Sequence, residues 1–152
     1  MAGRNVVIFE DSAASHFAPL TLTRPVFELI SGMKSLWENI VNRFYSDAEV
    51  RFVCRDYLKD VLQQNYGAKV NDLSGLDDAL FINGRVLAAF SELPPVEGDS
   101  GIGTLDDAVV CARLKGDEIA GLGDNPDELA DKIAALDLPK QEVEGIQMVN
   151  YI

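Results

Sequence analysis

Long apolar runs are missing from this sequence. No stretch approaches the ~18 residues that a membrane span needs. Val6-Val7-Ile8-Phe9 is too short for the core of an export signal, and Glu10-Asp11 closes it at once. Cysteine is scarce. Cys54 and Cys111 are the only two, too few for a disulfide framework, and without an export signal both are expected to be reduced thiols in a cytoplasmic protein. Bases are few as well: 13 Lys and Arg face 25 Asp and Glu, a net charge of −12 and a pI near 4.3. A nucleic-acid duplex or an anionic membrane surface repels such a chain, which argues against both as partners. There is one histidine, His16, and one tryptophan, Trp37. Internal repeats and low-complexity tracts are absent.

What remains is a globular composition. The chain has 152 residues, 47% hydrophobic and 25% charged, with a mean hydropathy of +0.03. That fits one domain, long enough to bury a core. The charge is lopsided. Residues 1–76 carry 8 bases and 9 acids, whereas residues 77–152 carry 5 bases and 16 acids. A site for an anionic ligand is therefore expected in the first half, and the second half reads equally well as a solvated acidic face.

Asn5 to Glu10 is a short β-branched apolar run, the signature of a strand buried on both faces in a parallel sheet. Residues 11–30 resist assignment because Pro19 and Pro25 break any helix there. Long connections of this kind are more often functional than not. Met33, Leu36, Trp37, Ile40, Val41 and Phe44 then recur at helical spacing, predicting an amphipathic helix that starts near Ser31 or Gly32. Glu49 to Cys54 predicts a second strand. Asp56 is the expected N-cap of a helix carrying Leu58, Val61 and Leu62 and ending at Gly67. Ala79 to Ile82 predicts a third strand. Asn83-Gly84 after it marks either a hairpin into Arg85–Phe90 or a bend at the end of a central strand. Pro94-Pro95 and Gly98 to Gly103 read as loop, and Ala108 to Leu114 as strand. Lys115-Gly116-Asp117 reads as a turn into a short partner, Glu118 to Leu122. Asn125-Pro126 starts a helix whose face is Leu129, Ile133 and Leu136 and which Pro139 ends. Ile146 to Ile152 stops in apolar residues with no polar tail, so the chain is expected to be the amino-terminal piece of a longer protein. Strand, loop, helix, strand, helix predicts a three-layer α/β fold with a mainly parallel central sheet.

In such folds ligands bind outside the carboxyl ends of the strands. The loop from Asp11 to Leu29 is therefore the first place to look. Its Ser12, Ala13, Ser15 and Thr21 bring small side chains and backbone N–H groups, and Arg24 brings a guanidinium fork; together these suit phosphate oxygens. The plainer reading is a solvated Arg24 on a loop stiffened by prolines. His16 is more simply an exposed loop histidine than a phosphate donor. Cys54 and Cys111, inside predicted strands, read as buried small hydrophobes and not as nucleophiles. Glu10, Asp11 and Asp56 together suggest the acidic pocket of a phospho-receiver domain, but that fold needs a helix directly after its first strand, which Pro19 and Pro25 forbid.

Val6 to Ile40 resembles the opening of the sugar nucleotidyltransferases, the fold of N-acetylglucosamine-1-phosphate uridylyltransferase. That family runs strand, G-x-G-T-R, P-L-T, a proline-lysine pair and a helix. Here Pro19-Leu20-Thr21 stands as the P-L-T, Thr23-Arg24-Pro25 begins the pair with Val26 in place of the lysine, and Gly32 to Leu36 matches the helix opening. Ser12 to His16 occupies the glycine-rich loop without its glycines. Leu80 to Arg85 resembles the third main strand and its Gly-Asp end, with Arg85 at the position of the magnesium-holding aspartate. A divergent bacterial branch with the same P-L-T-x-T-R-P and N-G-R segments is more similar still. It is joined to a left-handed β-helix acyltransferase domain.

The resemblance implies a nucleoside triphosphate and a sugar 1-phosphate as substrates and Mg²⁺ as cofactor. The sugar-phosphate oxygen attacks the α-phosphorus and pyrophosphate leaves, so positioning and fixed cations do the work and no protein nucleophile is needed. On that basis Arg24 neutralises the pyrophosphate, and the Ser12–Ser15 amides with Thr21 hold the nucleotide. Asn83, Gly84, Arg85 and Arg55 meet the sugar phosphate, with Arg85 also catalytic. Asp11 is the expected metal ligand, with Asp106-Asp107 behind it. The alternative is a non-catalytic sugar-nucleotide-binding or scaffolding module fused to an acyltransferase, and a homo-oligomer is compatible with either.

Overall fold

Asn5–Phe9 forms the first strand (β1), an interior strand of the sheet, in a computed structural model that describes residues 5–67, 69–88, 91, 100–123 and 125–149. Its alternation explains its position. Val6 and Ile8 enter a core on one face of the sheet, Val7 and Phe9 enter a second core on the other, and all four are fully buried. Each such side chain contributes about 1.5–3 kcal/mol when taken from water.

The other strands are β2 (Ile30–Ser31), β3 (Lys34–Ser35), β4 (Glu49–Val53), β5 (Asp78–Asn83), β6 (Gly101–Leu105), β7 (Ala108–Lys115) and β8 (Lys140–Glu142). Six of them make one sheet in the order β4-β1-β5-β7-β6-β8. β1 runs parallel to β4 and β5, β7 runs antiparallel to β5 and β6, and β8 is parallel to β6. Helices α1 (Leu36–Phe44) and α2 (Lys59–Tyr66) cover one face through Ile40 and Leu62; α3 (Gly116–Ala120) and α4 (Leu129–Ala134) cover the other through Ile119, Leu129 and Ile133. This is the expected three-layer α/β architecture. The carboxyl tips of β4, β1 and β5 lie side by side, and the chain leaves β1 there into residues 10–29.

Local chemistry moves several boundaries. The helix expected from Met33 starts at Leu36, because Ser35 caps it: its Oγ accepts from the Glu38 N–H at 3.4 Å and donates to Glu38 Oε1 at 2.8 Å. Ahead of that cap, β2 and β3 pair around Gly32, whose φ of 76° needs glycine. Met33 therefore sits on a hairpin tip, 99% exposed, and not on the helix stripe. Asp56 lies inside a 3₁₀ turn, Asp56–Leu58, with Arg55 at its cap position and Leu58 at that of α2; α2 follows and ends at Gly67 as expected. Asn83-Gly84 is a bend and not a hairpin, since the neighbours of β5 are β1 and β7. Gly101 to Gly103 belong to β6 instead of a loop, and Gly116–Ala120 is helical where a short strand partner was expected. Pro94-Pro95, Gly98-Asp99, Ala89-Phe90 and the last three residues lie outside the described residues.

Candidate functional site

Residues 11–29 are a folded lobe. Three 3₁₀ turns, Ser12–Phe17, Leu20–Leu22 and Val26–Glu28, are joined at Pro19 and Pro25. Ala14, Phe17 and Val26 form a small core of their own, with Leu29 and Val149 against it. Thr21 is bonded to that core. It is fully buried and its Oγ1 donates to the Ala14 carbonyl at 2.7 Å. The hydroxyl expected to meet phosphate is thus committed to the lobe.

Glu10 pins the lobe to the sheet. It sits at the tip of β1 with its side chain 4% exposed. Its carboxylate accepts from the Val26 N–H at 3.1 Å, the Arg55 N–H at 2.9 Å and Arg55 Nε at 2.8 Å. Arg55 has two further bonds, Nη1 to Tyr57 Oη at 2.7 Å and Nη2 to the Arg24 carbonyl at 3.0 Å. Arg55 was expected to meet a sugar phosphate; here its guanidinium joins Glu10 at the tip of β1, the neighbouring Tyr57 and, through Nη2, the Arg24 carbonyl of the lobe. Sequence reasoning gave Glu10 no such role. Its one signal was an acid closing an apolar strand.

Asp11 is held just as firmly. Its Oδ1 accepts from the Ala13 N–H at 3.2 Å and Arg85 Nε at 3.1 Å; its Oδ2 accepts from Asn83 Nδ2 at 2.9 Å and Arg85 Nη2 at 2.8 Å. Asn83 Nδ2 also donates to the Val109 carbonyl at 2.9 Å, and Arg85 Nη1 to the Val149 carbonyl at 3.0 Å. Asn83 and Arg85 are both buried. The structure brings Asp11, Asn83 and Arg85 together, and their polar groups face one another. Gly84 is explained by space. A Cβ there would stand 2.6 Å from Phe27 Cβ and 3.1 Å from the Phe9 carbonyl, which accepts the Gly84 N–H at 2.7 Å.

Two clefts flank the lobe. One, of about 550 Å³, lies at the strand tips and is lined by Glu10, Asp11, Ser12, Ser15, Arg55, Asp56, Tyr57 and Asp127 among others. The second, of about 600 Å³, is lined by Thr23, Arg24 and Ser31 on a largely apolar wall that includes Leu29, Leu36, Leu87 and Val149. Both fall in the size range of small-molecule sites. Arg24 and the Ser12–Ser15 turn, expected in one cradle, thus open into different clefts on either side of the lobe. Arg24 is exposed. Ser12 and Ser15 are exposed too, with Ser15 Oγ donating to the Ser12 carbonyl at 3.1 Å, while the Ala13 N–H belongs to Asp11.

The donor set does not fit a protein-held Mg²⁺. All four lone-pair directions of the Asp11 carboxylate are filled by N–H donors. Asp106 and Asp107 form the β6–β7 turn at φ 50° and 67°. No group of three His, Cys, Asp or Glu side chains able to bind a metal comes together among the described residues. Cys54, beside Glu10, is no nucleophile: burial pushes its thiol up to about 12, with the Glu10 charge adding to the rise. Cys111 is pushed up to about 12 by burial as well. No helix among the described residues is long and apolar enough to cross a membrane.

Comparison with known proteins agrees with this architecture. The chain is similar in structure to a Bacillus anthracis protein assigned as a glucose-1-phosphate thymidylyltransferase, with a TM-score of 0.59 and 10% identity over 99% of this chain and 91% of that one. It is similar to the inositol-1-phosphate CTP transferase of T. maritima, with a TM-score of 0.55 and 9% identity over 99% and 91% of the two chains. The CTP:phosphocholine cytidylyltransferase of Streptococcus pneumoniae follows, with a TM-score of 0.50 and 13% identity over 100% and 95%. At these identities the likeness establishes the fold. No curated protein matches the chain in sequence. Residues 6–151 match the family described as sugar nucleotidyl transferase, and with nearly its whole length so matched, the chain belongs to that family.

Proposed function

We propose that this chain is a sugar-1-phosphate nucleotidyltransferase domain, turning a nucleoside triphosphate and a sugar 1-phosphate into a nucleotide sugar and pyrophosphate. The carrying observation is the family match over residues 6–151. It is supported by a folded lobe leaving the tip of β1, where parallel sheets bind ligands. A sugar-phosphate oxygen forms the new bond to the α-phosphorus, and the α–β phosphoanhydride breaks. No covalent enzyme intermediate is needed, so the protein acts by alignment and by placing positive charge where charge accumulates.

Arg24 is the residue we assign to that charge. It is exposed, it stands at a cleft of about 600 Å³, and its guanidinium suits two phosphate oxygens at once. The apolar wall of the same cleft suits the face of a base or a sugar ring. Ser12 and Ser15 line the other cleft, on the far side of the lobe, and have no part in the contact assigned to Arg24. Mg²⁺ has no place in this assignment as a protein-bound ion. In this reading the chain acts in the cytoplasm, with a β-helix acyltransferase domain as its partner.

A second reading, binding without turnover, is favoured by one observation: Arg85 and Asp11 neutralise each other at the strand tips instead of facing a substrate. Pyrophosphate release separates the two. Triphosphates paired with sugar 1-phosphates should yield pyrophosphate from the full-length protein for at least one pair. Nucleotide binding with no release from any pair would leave the binding module.

A further inference from the structure

We propose that Arg85 is the resident cation of the strand tips: its guanidinium takes the place of a divalent metal ion at Asp11 and closes that position to metal. The proposal extends the function above and rests on that reading only for where a nucleotide would lie.

The observation is the completeness of the Asp11 shell. Four N–H donors, two of them from Arg85, fill both carboxylate oxygens at 2.8–3.2 Å. A Mg²⁺ ion needs oxygen at about 2.0–2.1 Å in near-octahedral geometry and keeps several waters. It could reach Asp11 only by expelling the guanidinium and part of this shell. Space argues the same way. The side chains of Arg85 and Asp11 are 5% and 12% exposed, which leaves little room for a hydrated ion beside the carboxylate.

The guanidinium also does something a hydrated ion would not. Its planar fork reads the carboxylate with Nε and Nη2, while Nη1 reaches the Val149 carbonyl at 3.0 Å. The backbone repeats the link, with the Val149 N–H donating to the Arg85 carbonyl at 2.8 Å and the Leu87 N–H to the Gln147 carbonyl at 2.8 Å. One side chain thus joins the tip of β1, the end of β5 and the segment around residues 147–149. Asn83 orients the carboxylate from the side and is itself fixed by the Val109 carbonyl. A lysine could not copy this, because a single ammonium lacks the paired donors.

The test uses Mn²⁺ as a paramagnetic probe on the ¹⁵N-labelled full chain, with no nucleotide present. In the wild type, substoichiometric Mn²⁺ should leave the amide signals of Asp11, Ser12, Gly84 and Arg85 no weaker than those of exposed acidic positions such as Asp131. Selective loss of those four signals would overturn the proposal. Arg85→Asp, which removes the guanidinium and adds a second carboxylate, should show that selective loss at Mn²⁺ levels the wild type tolerates. A folded Arg85→Asp with no selective loss would also overturn the claim that Arg85 is what excludes the metal. If that variant does not fold, the wild-type spectrum decides alone. Because neither sample contains nucleotide, failure of the proposed reaction would leave both outcomes standing.

Discussion

Replacing Glu10 by alanine should unfasten the lobe from the sheet. The carboxylate accepts three hydrogen bonds, two from the backbone N–H groups of Val26 and Arg55 and one from Arg55 Nε. In Glu10→Ala both backbone donors lose their acceptor, the Val26 N–H in a buried setting and the Arg55 N–H in a part-buried one, at about 1–3 kcal/mol each. The Arg55 side chain is 23% exposed and can turn to water, so its share is small. A loss of about 2–6 kcal/mol in a chain of this size lowers Tm by about 4–24 °C. Glu10→Gln keeps the shape and one acceptor oxygen but turns an N–H toward one of the donors, so its loss should be roughly half as large. Thermal denaturation followed by circular dichroism measures both. Limited proteolysis adds a local readout, since cleavage within residues 19–29 should speed up before the rest of the chain opens. A Glu10→Ala protein within about 2 °C of the wild type would refute the idea that this carboxylate fastens the lobe.

Gly84→Ala should cost about 1–3 kcal/mol by overpacking against Phe27 and the Phe9 carbonyl, read as a lower urea midpoint. The two thiols should ignore a disulfide reagent near pH 8 in the native protein and both react after unfolding, because burial raises each to about 12 from 9.0. Unfolded thiols ionise as pH passes 9.0 while folded ones stay protonated to about 12, so stability should fall over that window, seen as a drop in the urea midpoint between about pH 8 and pH 10.

The sheet was legible because its central strands are buried on both faces and so read as unbroken apolar runs, as in Val6 to Phe9 and Ala79 to Ile82. The first helix was legible from its stripe, though its start was not. Met33 extends the same spacing, and only the Ser35–Glu38 cap tells where the helix begins. β8 was invisible because Lys140–Glu142 is exposed throughout and carries no apolar pattern. At the site, the lobe's location followed from the prolines, but its internal economy did not. Thr21, Arg55 and Arg85 looked like ligand contacts because their chemistry suits phosphate. Their bonds instead run to Ala14, Glu10 and Asp11, partners 7, 45 and 74 residues away in sequence. Pairings at such separations leave no trace in local spacing.

The most direct measurement is a calorimetric titration of nucleoside triphosphates into the wild type and Arg24→Ala. Arg24 is exposed, so its removal should leave the fold intact. The wild type should bind at least one triphosphate, and Arg24→Ala should abolish that binding. Unchanged affinity in the variant, or no triphosphate bound by the wild type, would contradict the proposed function.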